Sequence, residues 1–205
     1  MAKNSEQVGG YVIRMGHNLK RVEDLIALRT ALDGVNDPDN PFAQDIDDIV
    51  RSAIVLLHAA MEDFLRTVLF DWIPREEDSF ICTLPLAGTP RSDKYKIKDL
   101  IQHRGKSIDT VLDESISQWL NQFSFNSVPD VVSALEHVGL QDEEWDTFFA
   151  DLAAMMKRRH RIVHYTDLND DTPPVLNSVD IGDVQRWAQN VHDFATKMMF
   201  HLQDK

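Results

Sequence analysis

The sequence has a single cysteine, Cys82, in 205 residues. An intramolecular disulfide and a zinc site built on several thiolates are therefore excluded, and a reducing compartment is expected. Glycine and proline number only 8 each, too few for a collagenous or low-complexity chain. The longest strongly apolar stretch, residues 53–57, ends at His58. Because a bilayer span needs roughly 20 apolar residues and the first residues are polar, we expect a soluble, cytoplasmic protein without membrane contact.

Basic residues are also scarce. There are 21 Lys and Arg against 34 Asp and Glu, which gives a formal net charge of −13. Proteins that coat duplex nucleic acid are normally basic, so that class is excluded and any contact with nucleic acid needs a local basic patch. Residues 157–161 hold four positive charges in five positions, and residues 91–106 hold six Lys or Arg against two Asp. The second stretch is interpreted as solvated surface, with guidance of RNA as the alternative.

Apolar side chains are plentiful and recur with helical spacing. They make up 43% of the chain, and they repeat every three or four residues over about 8–32, 45–73, 142–164 and 180–202. In the first of these segments the predicted apolar stripe starts at Val12. The pattern predicts an all-α fold: a helical bundle of two long antiparallel helices and a late helix pair. We expect one domain over 1–205, with a core of about 8–72 and 142–203 and an insertion of shorter helices at about 73–141. Within the insertion, residues 74–90 are expected to be irregular, and two helices are predicted over 107–123 and 129–138.

The helical pattern breaks near the end of the third segment. Trp145, Leu152, Met156 and Val163 lie on one stripe of that helix, and Arg159 falls in the middle of it. An arginine at a core position breaks a local rule, as functional sites often do. His160 and His164 are four residues apart and share one flank beside it. Arginine presents a fork of donors that matches phosphate oxygens, and histidine exchanges a proton near neutral pH. Together they supply the minimum for cleaving RNA through its own 2′-hydroxyl without a metal.

Three other interpretations of this segment stay open. Arg159 could be a structural arginine paired with an acid of the central helix. Arg158 and Arg161 fit a solvated helix end, where positive charge suits the helix dipole, and Arg158 is predicted to point away from Arg159. His160 and His164 could hold a metal, but a zinc site needs a further ligand that the sequence does not provide. We therefore expect neither a metal nor another cofactor.

Residues 159–164, Arg-His-Arg-Ile-Val-His, resemble the R-x4-6-H motif of the HEPN superfamily in its form R-[N/H/D]-x-x-x-H. The motif closes a helix and is followed by Tyr-Thr-Asp, similar to the IVH-x-x-D ending of several HEPN families. Residues 58–65 look like the second core helix of that fold, in which a glutamate is often embedded. Residues 123–126 and 131–140 are similar to the RiboL-PSP-HEPN branch. The resemblance covers about 45–202.

The resemblance implies an endoribonuclease that needs no metal and leaves 2′,3′-cyclic phosphate ends. It implies that Arg159 binds the scissile phosphate, that His164 is the general base or acid, and that His160 assists. Glu62 is a weaker candidate that would orient Arg159 or a histidine across the helix interface. The alternative is that Glu62 merely emerges at the rim of that interface and has no such role. Asp167 is expected to cap the loop after the helix rather than touch substrate.

Family members usually form homodimers that bring two motifs into one cleft, and many act in toxin–antitoxin pairs or phage defence. The resemblance therefore implies RNA as substrate, a second copy as partner and a possible cognate antitoxin. The alternative is a non-catalytic HEPN-like module for RNA or nucleotide binding or for dimerisation. A third interpretation is a purely structural helical protein in which Arg159 is paired.

Overall fold

The computed structural model describes residues 2–33, 46–75, 78–90, 95–140 and 143–203. Its helices are α1 (Ala2–Asp33), α2 (Asp47–Trp72), α3 (Asp78–Ile81), α4 (Ile97–Leu100), α5 (Ile108–Gln122), α6 (Val128–Glu136), α7 (Asp146–Tyr165) and α8 (Ile181–Gln203). Short 3-10 turns precede α3, α5 and α7. These described ranges contain no β-strand beyond one isolated bridge between Leu168 and Leu176. The all-α prediction is confirmed.

The chain divides into two compact units. The first unit comprises Met1–Phe64, Asn126–Val128 and Asp142–Lys205. The second comprises Leu65–Phe125 and Pro129–Gln141, and α2 contributes residues to both. In the described ranges, no helix combines the length and the apolar character that a membrane span requires.

In the first unit, α1 and α7 both pack against α8. The buried face of α1 consists of positions spaced by three or four residues: Tyr11, Met15, Leu19, Val22 and Ile26. The prediction that this stripe starts at Val12 is wrong, because Val12 is 55% exposed and the regular spacing leads to Tyr11 instead. A tyrosine ring carries enough apolar surface to occupy such a position.

Helix α2 is the central helix that its composition predicts. Its buried positions run from Val50 through Leu57 and Met61 to Trp72. Two acids, Asp47 and Asp48, lie in its first turn, where negative charge suits the helix dipole. Arg51, on the same helix, is also buried, at 6% exposure, and this buried charge forms part of the site described below.

The second unit holds the shorter helices. The predicted helices 107–123 and 129–138 correspond to α5 and α6, and the Ser107 side chain caps α5 by accepting from Thr110 N at 3.1 Å. Residues 74–90 were expected to be irregular, and the structure differs there by forming the single turn of α3. Part of the predicted basic stretch, residues 91–94, lies outside the described residues.

Candidate functional site

The C-terminal half of α7 carries the predicted catalytic residues. Leu152, Met155 and Met156 are buried along one face of this helix. Beyond Met156 that face approaches the surface: Arg159 is half-buried, and Val163 is 46% exposed. The prediction that Val163 continues the core stripe is therefore wrong. Arg159 is placed at the edge where the buried face meets solvent.

Arg159 has few partners. Its Nη1 donates to Asn126 Oδ1 at 3.4 Å, and among the described residues no carboxylate pairs with it. Its Nε is buried and has no hydrogen-bond partner there. The interpretation of Arg159 as a paired structural arginine is not supported by these contacts. The Nη2 of Arg159 is neither buried nor hydrogen-bonded among these residues, so it can meet an anion from outside, since guanidinium donors favour phosphate or carboxylate oxygens.

The two histidines are exposed beside it. The rings of His160 and His164 lie with centroids 4.6 Å apart at 46°, and Tyr165 lies 5.8 Å from His160. On an α-helix, His164 is rotated by about 140° from Arg159 and His160 by about 100°. The motif is therefore spread over about 140° of the α7 surface, with the two histidines side by side and Arg159 apart from them. The described ranges place no third histidine, cysteine or acid with this pair in a metal-binding group.

Glu62 is not brought to Arg159. Its carboxylate lies 3.9 Å from Nδ1 of His58, one turn earlier on the same helix. Glu62 is half-buried, whereas His58 is buried. The described contacts of Arg159 do not include it, so a role of Glu62 in orienting the motif stays a prediction.

Asp167 is placed below the surface, where it joins two arginines. Its side chain is fully buried, and its Oδ2 accepts from Arg51 Nε at 2.9 Å and from Arg158 Nη2 at 2.6 Å. Arg158 also donates to the backbone oxygens of Asn177 and Ser178 at 3.1 and 2.9 Å. The prediction that Arg158 is merely solvated is wrong, because the buried carboxylate of Asp167, nine residues later in the chain, binds it. Burial lowers the pKa of the Arg158 guanidinium, although Asp167 acts in the opposite direction.

Asp167 also ends the motif helix, as its expected capping role requires. Thr166 and Asp167 both have left-handed backbone angles, with φ of 51° and 57°. Asp167 N donates to Arg161 O at 3.1 Å, and its carbonyl oxygen accepts from Asn177 N at 2.9 Å. Left-handed residues commonly end helices in this way. These bonds hold residues 168–178, the segment that follows the helix, against the C-terminal end of α7 where His164 lies.

Arg51 and Asn177 are the residues that sequence reasoning missed. Arg51 donates from Nη2 to Asn177 O at 2.7 Å, and Asn177 Nδ2 donates to Asp167 O at 2.6 Å. Arg51 lies on the flank of the apolar stripe of α2, at a position where a solvated charge is ordinary, so the helical pattern does not mark it. Nothing in the local pattern marks Asn177.

The comparisons with known proteins agree with the motif. The family model described as RiboL-PSP-HEPN matches residues 17–198, which include all of α2 and α7, about half of α1 and most of α8. No curated protein and no solved structure matches the chain. A HEPN domain indicates a nuclease or RNA-binding role. The chain belongs to the RiboL-PSP-HEPN branch of the HEPN superfamily.

Proposed function

We propose that the protein is an endoribonuclease that cleaves RNA without a metal, by attack of the 2′-hydroxyl on the adjacent phosphate. The observation that carries the proposal is Arg159, a half-buried guanidinium with no carboxylate partner among the described residues and with an Nη2 that is neither buried nor hydrogen-bonded there. Such a group binds the scissile phosphate and stabilises the charge that develops on it. His160 and His164 stand exposed on the same helix edge.

The proton transfers are assigned to the histidines. In the reaction the 2′-oxygen forms a bond to phosphorus while the bond to the 5′-oxygen breaks, so one proton leaves the 2′-hydroxyl and one is delivered to the 5′-oxygen. We assign His164 to one of these transfers as general base or acid, and His160 to an assisting role. Glu62 and Asp167 do not touch substrate in this scheme. The products carry 2′,3′-cyclic phosphate and 5′-hydroxyl ends.

A homodimer is part of the proposal. One copy supplies one arginine and two histidines, and these diverge around α7, so a second copy facing the same edge would complete a cleft. Val163 and Tyr165, on either side of His164, are exposed at 46% and 62%. Exposed apolar side chains around a polar site are typical of protein interfaces. Sedimentation at micromolar concentration would contradict this part of the proposal if it showed a monomer.

The biological role we propose is that of a toxin or phage-defence effector, with a cognate antitoxin as a possible partner. Expression of the wild-type chain alone is then expected to slow bacterial growth and to fragment cellular RNA. The His164→Ala variant should do neither, because it lacks the proton-transfer group. The His192→Ala variant, which removes another exposed histidine on α8, should act like the wild type. Normal growth and intact RNA with the wild type would instead favour the non-catalytic binding or dimerisation module.

A further inference from the structure

A cavity of about 600 Å³ lies within the second unit, between α5 and the segment 80–90. Four rings line it: Phe80, Trp119, Phe123 and His137. His137 stacks on Phe80 with centroids 3.7 Å apart at 20°, and Trp119 meets Phe80 edge-on at 5.1 Å. Each ring is only partly buried. The cavity therefore presents accessible aromatic surface, which favours a flat, aromatic ligand.

The polar groups of the cavity are neutral. Among the described residues that line it there is no Lys, Arg, Asp or Glu. Gln118 and Gln122 supply side-chain amides, and the Gln118 oxygen already accepts from Gly88 N at 2.7 Å. Partial burial lowers the pKa of His137, which keeps its imidazole uncharged at neutral pH. A neutral ring with hydrogen-bonding edges fits this lining, whereas a phosphate or an ionised side chain does not.

The cavity wall is hydrogen-bonded to Tyr95, which begins the basic segment 95–98. The Tyr95 hydroxyl accepts from Leu86 N at 3.0 Å and donates to Leu84 O at 3.5 Å, and Leu84 lines the cavity. Lys96 and Lys98 follow Tyr95 and are exposed. Because Tyr95 contacts the cavity wall, the positive charge that follows it in the chain suits a ligand that combines a ring with a phosphate chain.

We propose that this cavity binds one unpaired nucleobase of single-stranded RNA, which stacks on the aromatic rings while its phosphates lie near Lys96 and Lys98. Single-stranded RNA is recognised in this way because its unstacked bases are free to insert between aromatic side chains, whereas paired bases are not. The choice of RNA as the source of the base rests on the proposed function. The shared chemistry, a neutral nucleobase, would also suit a free nucleotide.

The test uses the full chain and a short, labelled 2′-O-methyl oligoribonucleotide, which lacks the attacking hydroxyl and is bound without being cleaved. An abasic oligomer of the same length and charge is the comparison ligand. We expect the base-containing oligomer to bind about tenfold more tightly than the abasic one, since stacking of one base contributes on this scale. Trp119→Leu should remove this difference because it takes away a stacking ring, and Gln122→Ala should reduce it because it takes away an amide at the edge of the base. Asn121→Ala, an exposed amide next to Gln122 that does not line the cavity, should preserve it.

The outcomes separate this proposal from the ribonuclease proposal. Equal binding of the two oligomers by the wild type would overturn the base site, whether or not the protein cleaves RNA in a separate assay. A mononucleotide that binds as tightly as the oligomer would overturn RNA as the source. If Gln122→Ala, with an unchanged melting temperature, kept the full preference for bases, the cavity would not be the site. Base-dependent binding without any cleavage would support the base site in the cavity and contradict only the proposed ribonuclease activity.

Discussion

Replacing Arg159 with alanine is expected to lower the rate of RNA cleavage by roughly 100- to 1,000-fold, the usual loss when one preorganised donor to a developing oxyanion is removed. The half-buried guanidinium has no carboxylate to neutralise it among the described residues, and its buried Nε is unused. Its Nη2, which is neither buried nor hydrogen-bonded among these residues, is available to the phosphate in the transition state. Single-turnover rates on a defined RNA would measure the effect.

Two further variants sharpen this prediction. Arg159→Lys keeps the charge but loses the planar fork of donors, so it should remain well below the wild-type rate. Arg186→Ala removes an exposed arginine on α8 whose partners are Asp151 and Asp183, and it should cleave normally. Thermal melts would establish that all three variants fold. Cleavage by Arg159→Ala at the wild-type rate would contradict the assignment.

Replacing Asp167 with alanine is expected to destabilise the protein by roughly 3–5 kcal/mol, the cost of leaving a buried charge without its partner. Asp167 is fully buried, and its Oδ2 accepts from both Arg51 and Arg158. Arg51 is itself buried and would keep only the exposed Asp48, 3.0 Å from its Nη1, as a carboxylate partner among the described residues, which places the expected loss at the lower end of this range. Alanine would also be strained at the left-handed backbone angle of this position. Urea unfolding of the two proteins would give the difference in free energy.

The matched variants separate charge from backbone strain. Asp167→Asn keeps an acceptor oxygen and tolerates the left-handed angle, so it should lose less stability than alanine. Asp24→Asn, in an exposed pair with Lys20, should change the free energy of unfolding by no more than about 0.5 kcal/mol. If Asp167→Ala were as stable as Asp24→Asn, the buried cluster would not hold the end of α7 in place.

The helices could be predicted from the sequence because helical periodicity is a local signal. The spacing of apolar residues located α2, α5, α7 and α8 to within a few residues. One error is at a position where either of two neighbouring residues could have faced the core, as with Tyr11 and Val12. Val163 was placed in the core because an ideal stripe continues, whereas the buried face of α7 ends at Met156.

The site could be predicted only in part, because only some of its features are local in the sequence. The break in the pattern at Arg159 and the spacing to His164 are local features, and they lead to the motif directly. The contact between Arg51 and Asp167 joins residues 116 positions apart, so no window of sequence contains both. Arg158 was misjudged because its position on an isolated helix points to solvent, whereas the segment 167–178 returns to cover it.

The most direct test of the central claim is cleavage of a defined RNA in excess EDTA by the purified wild type and by His164→Ala. One substrate carries ribose throughout, and a second carries a single 2′-deoxyribose at a cleaved position. We predict that only the wild type cleaves, that the products end in 2′,3′-cyclic phosphate, and that the deoxy substitution blocks cleavage at that position alone. Cleavage that needs a divalent metal, persists in His164→Ala, or proceeds at the 2′-deoxy position would contradict a ribonuclease based on Arg159 and His164.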